Sequence, residues 1–219
     1  MAPRKGRNLV AQASSLCHQG LSCDQGGGFV GEMKKGRRSI RLKEFNYDQP
    51  GAYFVTICTK NRDSLLGSIK EGQLIKNDIG RAIQTAWEDL PKRFPEAALD
   101  AFIVMPNHIH GIIIVGAQFI APTEGVINHA PTLGEIVRTF KAMSTRRIRE
   151  EIYPHFFWQR NYYEHVIRDE KSLNRIREYI ITNPLRWSLD RENPHAKGRD
   201  KFDLWLASFK TKPDKAINI

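Results

Sequence analysis

Two consecutive strands joined by a turn are predicted by residues 99–115, which read LDAFIVMPNHIHGIIIV. Aromatic and β-branched side chains dominate both halves, and the Pro-Asn pair between them is typical of a turn. Side chains alternate between the two faces of a strand. In the second strand, His108–Val115, the side chains of His108 and His110 therefore share one face, and Ile109 faces the core. This segment predicts a sheet that carries two neighbouring histidines at one end.

Further strands and helices are predicted on both sides of this pair. The additional strands are Tyr53–Thr59, two short ones around Leu65–Ile69 and Gln73–Ile75, and an extended stretch within Trp158–Val166. Helical spacing of apolar residues predicts helices from Asn77 or Asp78 to about Leu90, from Thr132 to about Glu150, and from Asp169 to about Asn183. This order predicts an α+β, ferredoxin-like fold, with an antiparallel or mixed sheet and helices on one side of it.

Positive charge is distributed unevenly along the chain. The formal net charge is +10 over 219 residues, with +6 in residues 1–45, −2 in residues 46–131, +4 in residues 132–187 and +2 in the rest. A basic chain of this kind favours a polyanionic partner. No apolar run approaches the roughly 20 residues that span a bilayer, and the basic N-terminal segment lacks an apolar signal core, so we expect a cytoplasmic protein without a membrane partner.

His108 and His110 are candidate metal ligands. Two imidazoles on adjacent same-face positions of a strand can chelate one divalent ion. The alternative is a pair of solvent-facing histidines on a half-buried strand. A metal at this place would neutralise the charge of a phosphodiester and align it for attack.

Tyr179 and Asn183 lie one helical turn apart, at the edge of the apolar stripe of the last predicted helix. The phenol could attack phosphorus to form a phosphotyrosine that conserves the bond energy. The amide oxygen could be a third metal ligand. Alternatively, the tyrosine anchors the helix at the core boundary, and the asparagine ends it before a proline. Tyr162 and Tyr163 are rival nucleophiles in the extended stretch.

The residues around the histidines resemble a known motif. Residues 105–111 (MPNHIHG) resemble the HUH motif of single-tyrosine transposases. Further segments, in the expected order, resemble the REP-associated tyrosine transposases: residues 38–43 (RSIRLK), 50–57 (PGAYFVTI), 157–165 (FWQRNYYEH), 168–170 (RDE) and 179–184 (YIITNP). The resemblance covers roughly residues 37–187. It implies an HUH endonuclease domain over that range. Residues 1–36 and 188–219 lie outside the resemblance; the composition of the first predicts an irregular basic arm, and the second is an extension.

This resemblance implies roles for the candidate residues. It makes His108 and His110 the ligands of a divalent metal, Mg or Mn, and Tyr179 the nucleophile. Insertion-sequence relatives carry Gln as the third ligand where this chain has Asn183. The implied reaction cleaves single-stranded DNA at hairpin-flanked sites, leaves a 5′-phosphotyrosine and a free 3′-OH, and then transfers the strand.

The implied partner is single-stranded DNA with a REP-like hairpin, bound by a nucleoid-associated monomer or homodimer. Basic residues on the two helices after the histidines are candidates for phosphate contacts: Arg138, Lys141, Arg146, Arg147, Arg175 and Arg177. Two other functions compete with this one. A domesticated protein would bind DNA hairpins without cutting them, and a metal-dependent hydrolase would act on small substrates.

Overall fold

The computed structural model describes residues 50–116 and 131–209. Its strands are β1 (Gly51–Cys58), β2 (Gly67–Lys70), β3 (Gln73–Lys76), β4 (Ala97–Val104), β5 (His108–Val115) and β6 (Tyr163–Ile167). Its α-helices are α1 (Asp78–Glu88), α2 (Leu90–Arg93), α3 (Leu133–Glu151), α4 (Glu170–Thr182) and α5 (Lys201–Ser208). A 3-10 helix over Asn183–Leu189 follows α4 directly. The predicted arm, residues 1–36, lies outside the described residues.

The sheet topology confirms the predicted α+β, ferredoxin-like fold. Strands β4, β5, β1 and β6 form one sheet in that order, and each neighbouring pair is antiparallel. The order β1, α1, β4, β5, α3, β6 along the chain is the ferredoxin-like connection of strands and helices. Strands β2 and β3 form a separate hairpin between β1 and α1. In the central pair, Cys58 lies opposite His108 and Thr56 opposite His110.

Helices cover both faces of the sheet, so the prediction of helices on one side was wrong. Helices α1 and α3 share a core with one face of β1 and β5, which includes Val55 and Ile109. Helices α4 and α5 share a second core with the other face, which includes Phe54 and Ile112. The physical reason is that both central strands carry apolar residues at successive positions, and each face needs a cover.

The predicted helix starts are confirmed by their capping contacts. Asn77 accepts a 3.0 Å hydrogen bond from the backbone of Gly80 at the start of α1. Thr132 and Glu135 form a capping box at the start of α3. Asp169 accepts a 2.7 Å hydrogen bond from the backbone N–H of Ser172 and starts α4. These caps satisfy backbone donors that the first turn of a helix leaves free.

The predicted extended stretch Trp158–Val166 is a strand only from Tyr163 onward. Before that, Trp158 makes a single bridge with Thr59, and the backbone N–H of Gln159 donates a 2.8 Å hydrogen bond to the carbonyl of Cys58. This part of the chain runs beside α3 instead of joining the sheet. None of the helices in the described ranges combines the length and apolar character that crossing a lipid bilayer requires.

Candidate metal and tyrosine site

The two histidines of β5 lie side by side and are buried. His108 is fully buried, His110 is 2% exposed, and their Nε2 atoms are 2.9 Å apart. Helix α4 and the chain after it cover this face of the sheet, so the alternative of solvent-facing histidines is wrong. Burial of both rings with their nitrogens converging is the arrangement that a shared metal ion needs.

Asn107 fixes the proton of His108. The Nδ2 of Asn107 donates to two backbone carbonyls, those of Arg62 at 3.1 Å and Glu192 at 2.7 Å. Its Oδ1 therefore faces His108 Nδ1, 2.8 Å away, and can only accept. The proton must then sit on Nδ1, which leaves the Nε2 lone pair free for a metal. Burial, together with His110, lowers the pKa of His108 to about 3, so this ring is neutral at physiological pH.

Thr56 holds His110 from the neighbouring strand. Its hydroxyl lies 2.9 Å from Nδ1 of His110. A hydroxyl can donate or accept, so Thr56 tolerates either tautomer of the ring. Without a metal, His110 Nε2–H can donate to His108. If the two Nε2 atoms held a metal, the proton of His110 would sit on Nδ1 and be donated to Thr56.

Asp190 completes a cluster that the sequence did not predict. Its Oδ2 is 3.7 Å from Nε2 of His108 and 3.8 Å from Nε2 of His110, and one ligand atom from each residue lies within 4.8 Å of the others. Burial alone would raise the pKa of Asp190, but the two imidazoles and the amide of Asn183 hold that pKa well below its usual range. Asp190 falls inside the predicted extension, residues 188–219. The one available signal was that it is the first carboxylate after the tyrosine helix.

The structure brings Tyr179 to the same centre. Its hydroxyl is 3.5 Å from Nε2 of His110 and 3.4 Å from Oδ2 of Asp190. Its ring stacks on Phe202 of α5, with centroids 3.7 Å apart and planes within 9°. Only 3% of the residue is exposed. Burial raises the pKa of Tyr179 far above its ordinary value, and Asp190 raises it further, so the phenol keeps its proton until an acceptor takes it.

Asn183 lies at the same centre, where α4 passes into the 3-10 helix. It is fully buried, and its Nδ2 donates a 2.9 Å hydrogen bond to Oδ2 of Asp190. Its Oδ1 is buried and has no hydrogen-bond partner among the residues that the structure describes. A buried amide oxygen without a partner is costly, unless a ligand or water satisfies it. His108, His110 and Asp190 make a donor set that fits a divalent ion, and this oxygen is available as a further donor.

The rival tyrosines occupy different places. Tyr162 packs against the core beneath α1 and α3, on the face opposite the histidines. Tyr163 packs against the second core, on the same face as the histidines. The guanidinium of Arg191 lies 4.6 Å from the centre of its ring, and burial raises the pKa of Tyr163 to about 12.

The predicted DNA-binding residues do not form one surface. Arg138, Lys141 and Arg146 line a cleft of about 730 Å³ between α3 and residues 157–162, which we call the α3 cleft. Three others lie elsewhere and have partners. Arg147 pairs with Glu151, Arg177 makes a two-pronged contact with Asp100, and Arg175 lies over the ring of Trp205.

Comparison with known proteins places the chain in a family. No protein-family model matches it. An "Uncharacterized protein" of Haemophilus influenzae is 44% identical over 169 residues, which cover 71% of this chain and 92% of that protein. The chain belongs to the same family as this Haemophilus protein.

The comparisons also bear on the resemblance seen in the motifs. A second Haemophilus influenzae protein, described as a "Putative REP-associated tyrosine transposase", is 22% identical over 147 residues, covering 64% of this chain and 74% of that protein. This match confirms the predicted resemblance to REP-associated tyrosine transposases. A solved REP-associated tyrosine transposase, bound to a REP hairpin, is 22% identical with a TM-score of 0.47. The match covers 67% of this chain and 74% of that one.

Proposed function

We propose that this protein is a metal-dependent enzyme that cuts and rejoins single-stranded DNA beside hairpins, through a covalent phosphotyrosine on Tyr179. The observation that carries the proposal is the convergence of the Tyr179 hydroxyl with His108, His110 and Asp190 in one buried centre. A structural tyrosine would not need two imidazoles and a carboxylate around its hydroxyl. The similarity to a REP-associated tyrosine transposase supports DNA as the substrate.

The proposed metal ligands are His108, His110 and Asp190, with the free Oδ1 of Asn183 as a further donor. Two neutral imidazoles, one carboxylate and one amide oxygen suit Mn, and Mg to a lesser degree. When bound, the ion would neutralise a non-bridging phosphate oxygen and orient the phosphate. The hydrogen bonds that His108 makes with Asn107 and His110 makes with Thr56 position the rings for this role.

Tyr179 is the proposed nucleophile. Its oxygen forms a bond to phosphorus while the bond from phosphorus to the 3′ oxygen breaks, and that oxygen leaves as a 3′-OH after taking a proton from water. The phenol proton has an acceptor in Oδ2 of Asp190, 3.4 Å away. Because the pKa of Tyr179 is strongly raised, this proton must leave as the new bond forms. Rejoining is the reverse reaction, with an incoming 3′-OH as nucleophile.

The centre is closed to a substrate as large as DNA. Phe202 covers the ring of Tyr179, and Asp190 and Asn183 are buried beside it. A phosphate reaches the hydroxyl only if α5 moves away from α4. This closed arrangement is also the observation that favours the second candidate, a hairpin-binding protein that no longer cuts.

The test is formation of a covalent protein–DNA adduct. The full chain is incubated with Mn and single-stranded oligonucleotides that carry REP-like hairpins, and adducts are detected on denaturing gels and mapped by mass spectrometry. We expect an adduct on Tyr179 that is lost in Tyr179→Phe, in His108→Ala and in EDTA, and is retained in Tyr162→Phe and Tyr163→Phe. An adduct on another tyrosine, or one formed at the full rate in EDTA, would contradict the proposal. Hairpin binding without any adduct would support the second candidate.

A further inference from the structure

The α3 cleft lies on the opposite face of the sheet from the metal and tyrosine site, and the proposed chemistry does not use it. Its volume of about 730 Å³ is that of a ligand site. Apolar side chains line part of it: Val137, Ala142, Trp158 and Tyr162. Five cations also line it: Arg138, Lys141, Arg146, Arg149 and Arg160. The combination suits a ligand that has both flat apolar rings and negative charge.

The charge of the α3 cleft is strongly positive. Five cations line it against one carboxylate, that of Glu150, which lies 3.1 Å from Arg146. Two of these cations already donate to backbone carbonyls. The ammonium of Lys141 donates to those of Gln159 and Arg160, and Nε of Arg149 donates a 2.8 Å hydrogen bond to that of Phe156. Arg138, Arg146 and Arg160 remain as the groups that can meet phosphates.

An aromatic side chain stands at the mouth of the cleft. Phe157 is 44% exposed, and the guanidinium of Arg149 lies 3.9 Å from the centre of its ring. The ammonium of Lys60 lies 5.2 Å from the same centre. An exposed ring with planar and charged groups around it is the type of platform on which unpaired bases stack, while neighbouring cations hold the backbone.

The wall of the cleft reaches the sheet end that carries the histidines. Trp158 bridges to Thr59, and the N–H of Gln159 donates to the carbonyl of Cys58. Cys58 lies directly opposite His108 in the sheet. A DNA strand that leaves the α3 cleft along residues 157–162 therefore passes the ends of β1 and β5 beside His108, where the metal and tyrosine site begins.

We propose that the α3 cleft binds an unpaired segment of the DNA substrate, separate from the phosphate that reacts at Tyr179. Bases stack on Phe157 and Arg149, and phosphates contact Arg138 and Arg146. The inference rests on the proposed function, because it names a part of that function's substrate. A double helix cannot bind the α3 cleft in this way, since paired bases have no free faces to stack on Phe157 and Arg149.

The first test measures binding without cleavage. Full-length Tyr179→Phe protein in EDTA is titrated into a labelled oligothymidylate of about 12 nucleotides, and the Kd is read by fluorescence anisotropy. We expect Arg138→Ala with Arg146→Ala to weaken binding roughly tenfold or more. Phe157→Leu, which keeps an apolar side chain and removes the ring, is expected to weaken binding about fivefold.

Matched controls separate the cleft from general charge. Arg147 lies on α3 next to Arg146 and pairs with Glu151 as Arg146 pairs with Glu150, but it does not line the cleft. Arg147→Ala with Arg93→Ala therefore removes the same charge elsewhere, and we expect less than about a twofold change. Tyr153→Leu is the control for Phe157→Leu, because Tyr153 is 38% exposed and lies outside the cleft. Thermal melts verify that each variant is folded.

The second test is direct. A 5-iododeoxyuridine oligonucleotide is photocrosslinked to the same protein, and we expect crosslinked peptides that contain residues 157–162. No binding of the oligothymidylate, equal losses in cleft and control variants, or crosslinks only outside these residues would overturn the inference. The adduct assay remains independent. A chain that binds in the cleft and never forms an adduct refutes the proposed function, whereas a chain that forms the adduct with cleft variants binding normally refutes only this inference.

Discussion

The amide of Asn183 donates a 2.9 Å hydrogen bond to Oδ2 of Asp190, and its own Oδ1 stays buried without a hydrogen-bond partner among the described residues. Asn183 therefore holds the carboxylate in place, and its buried oxygen is available for the predicted role of a metal ligand. The sequence predicted the second role alone. With Asp190 present, the site has an anionic donor that two imidazoles and an amide lack.

The first prediction distinguishes the contributions of Asp190 and Asn183 to metal binding. Asp190→Asn removes the charge of the cluster while keeping its size, so we expect Mn affinity to fall about tenfold or more, measured by isothermal titration calorimetry. Asn183→Ala should weaken Mn binding by a similar factor of about ten if Oδ1 is a ligand, and Asn183→Gln should partly restore it. If Asn183 only ends the helix, Asn183→Ala will lower the melting temperature and leave the Mn titration unchanged.

The second prediction concerns Asn107, which positions His108 without itself being a proposed ligand. Asn107→Ala removes the acceptor that keeps the proton on Nδ1, so we expect a mixture of His108 tautomers in ¹⁵N NMR and a loss of Mn affinity of about tenfold. Asn77→Ala is the control. It removes the cap of α1, at a cost of about 1 kcal/mol, and should not change the Mn titration. An unchanged tautomer in Asn107→Ala would contradict this assignment.

The third prediction concerns salt. Each phosphate contact on a single strand contributes a slope of about −0.7 to the dependence of log K on log salt concentration. Loss of Arg138 and Arg146 together should make the slope shallower by about 1.4, measured by anisotropy over a sodium chloride series. Arg177→Ala should change the slope little, because Asp100 already holds that guanidinium. If Arg177→Ala changed the salt slope more than the loss of Arg138 and Arg146 together, the DNA would bind on the face of the sheet that α4 covers.

The fourth prediction concerns pH and stability. Burial raises the pKa of Asp203 on α5 to about 6, with Asp190 adding to the rise and Arg191 opposing it. The folded state therefore binds this proton more tightly than the unfolded state, and the resulting stability is present below about pH 4 and lost as pH rises through 6. Asp203→Asn should raise the free energy of unfolding by about 1–2 kcal/mol near pH 7.5 and much less near pH 3.5, in urea titrations with EDTA. An equal gain in the free energy of unfolding at both pH values would mean that the effect does not come from protonation of Asp203.

The features that the sequence alone determined depend on the periodicity of side chains within one strand or one helix. Alternation along β5 placed His108 and His110 on one face, and helical spacing placed Tyr179 of α4 on the same edge as Asn183, the residue that caps the C-terminus of α4. The capping residues of α1, α3 and α4 were also readable, because a cap acts within one turn of its own helix. The order of these elements then limited the fold to the ferredoxin-like arrangement.

The other features of the site depend on contacts between segments that are far apart along the chain. The burial of both histidines depends on α4 and the chain after it covering the second face of the sheet, and no spacing within β5 indicates that. Asp190 reaches the histidines only because a 3-10 helix turns the chain back after α4. Arg177 is held by Asp100, a residue far away along the chain. The sequence by itself determined which residue types share a face, whereas tertiary packing decided which of them meet, because a side chain's partners depend on which segments fold against it.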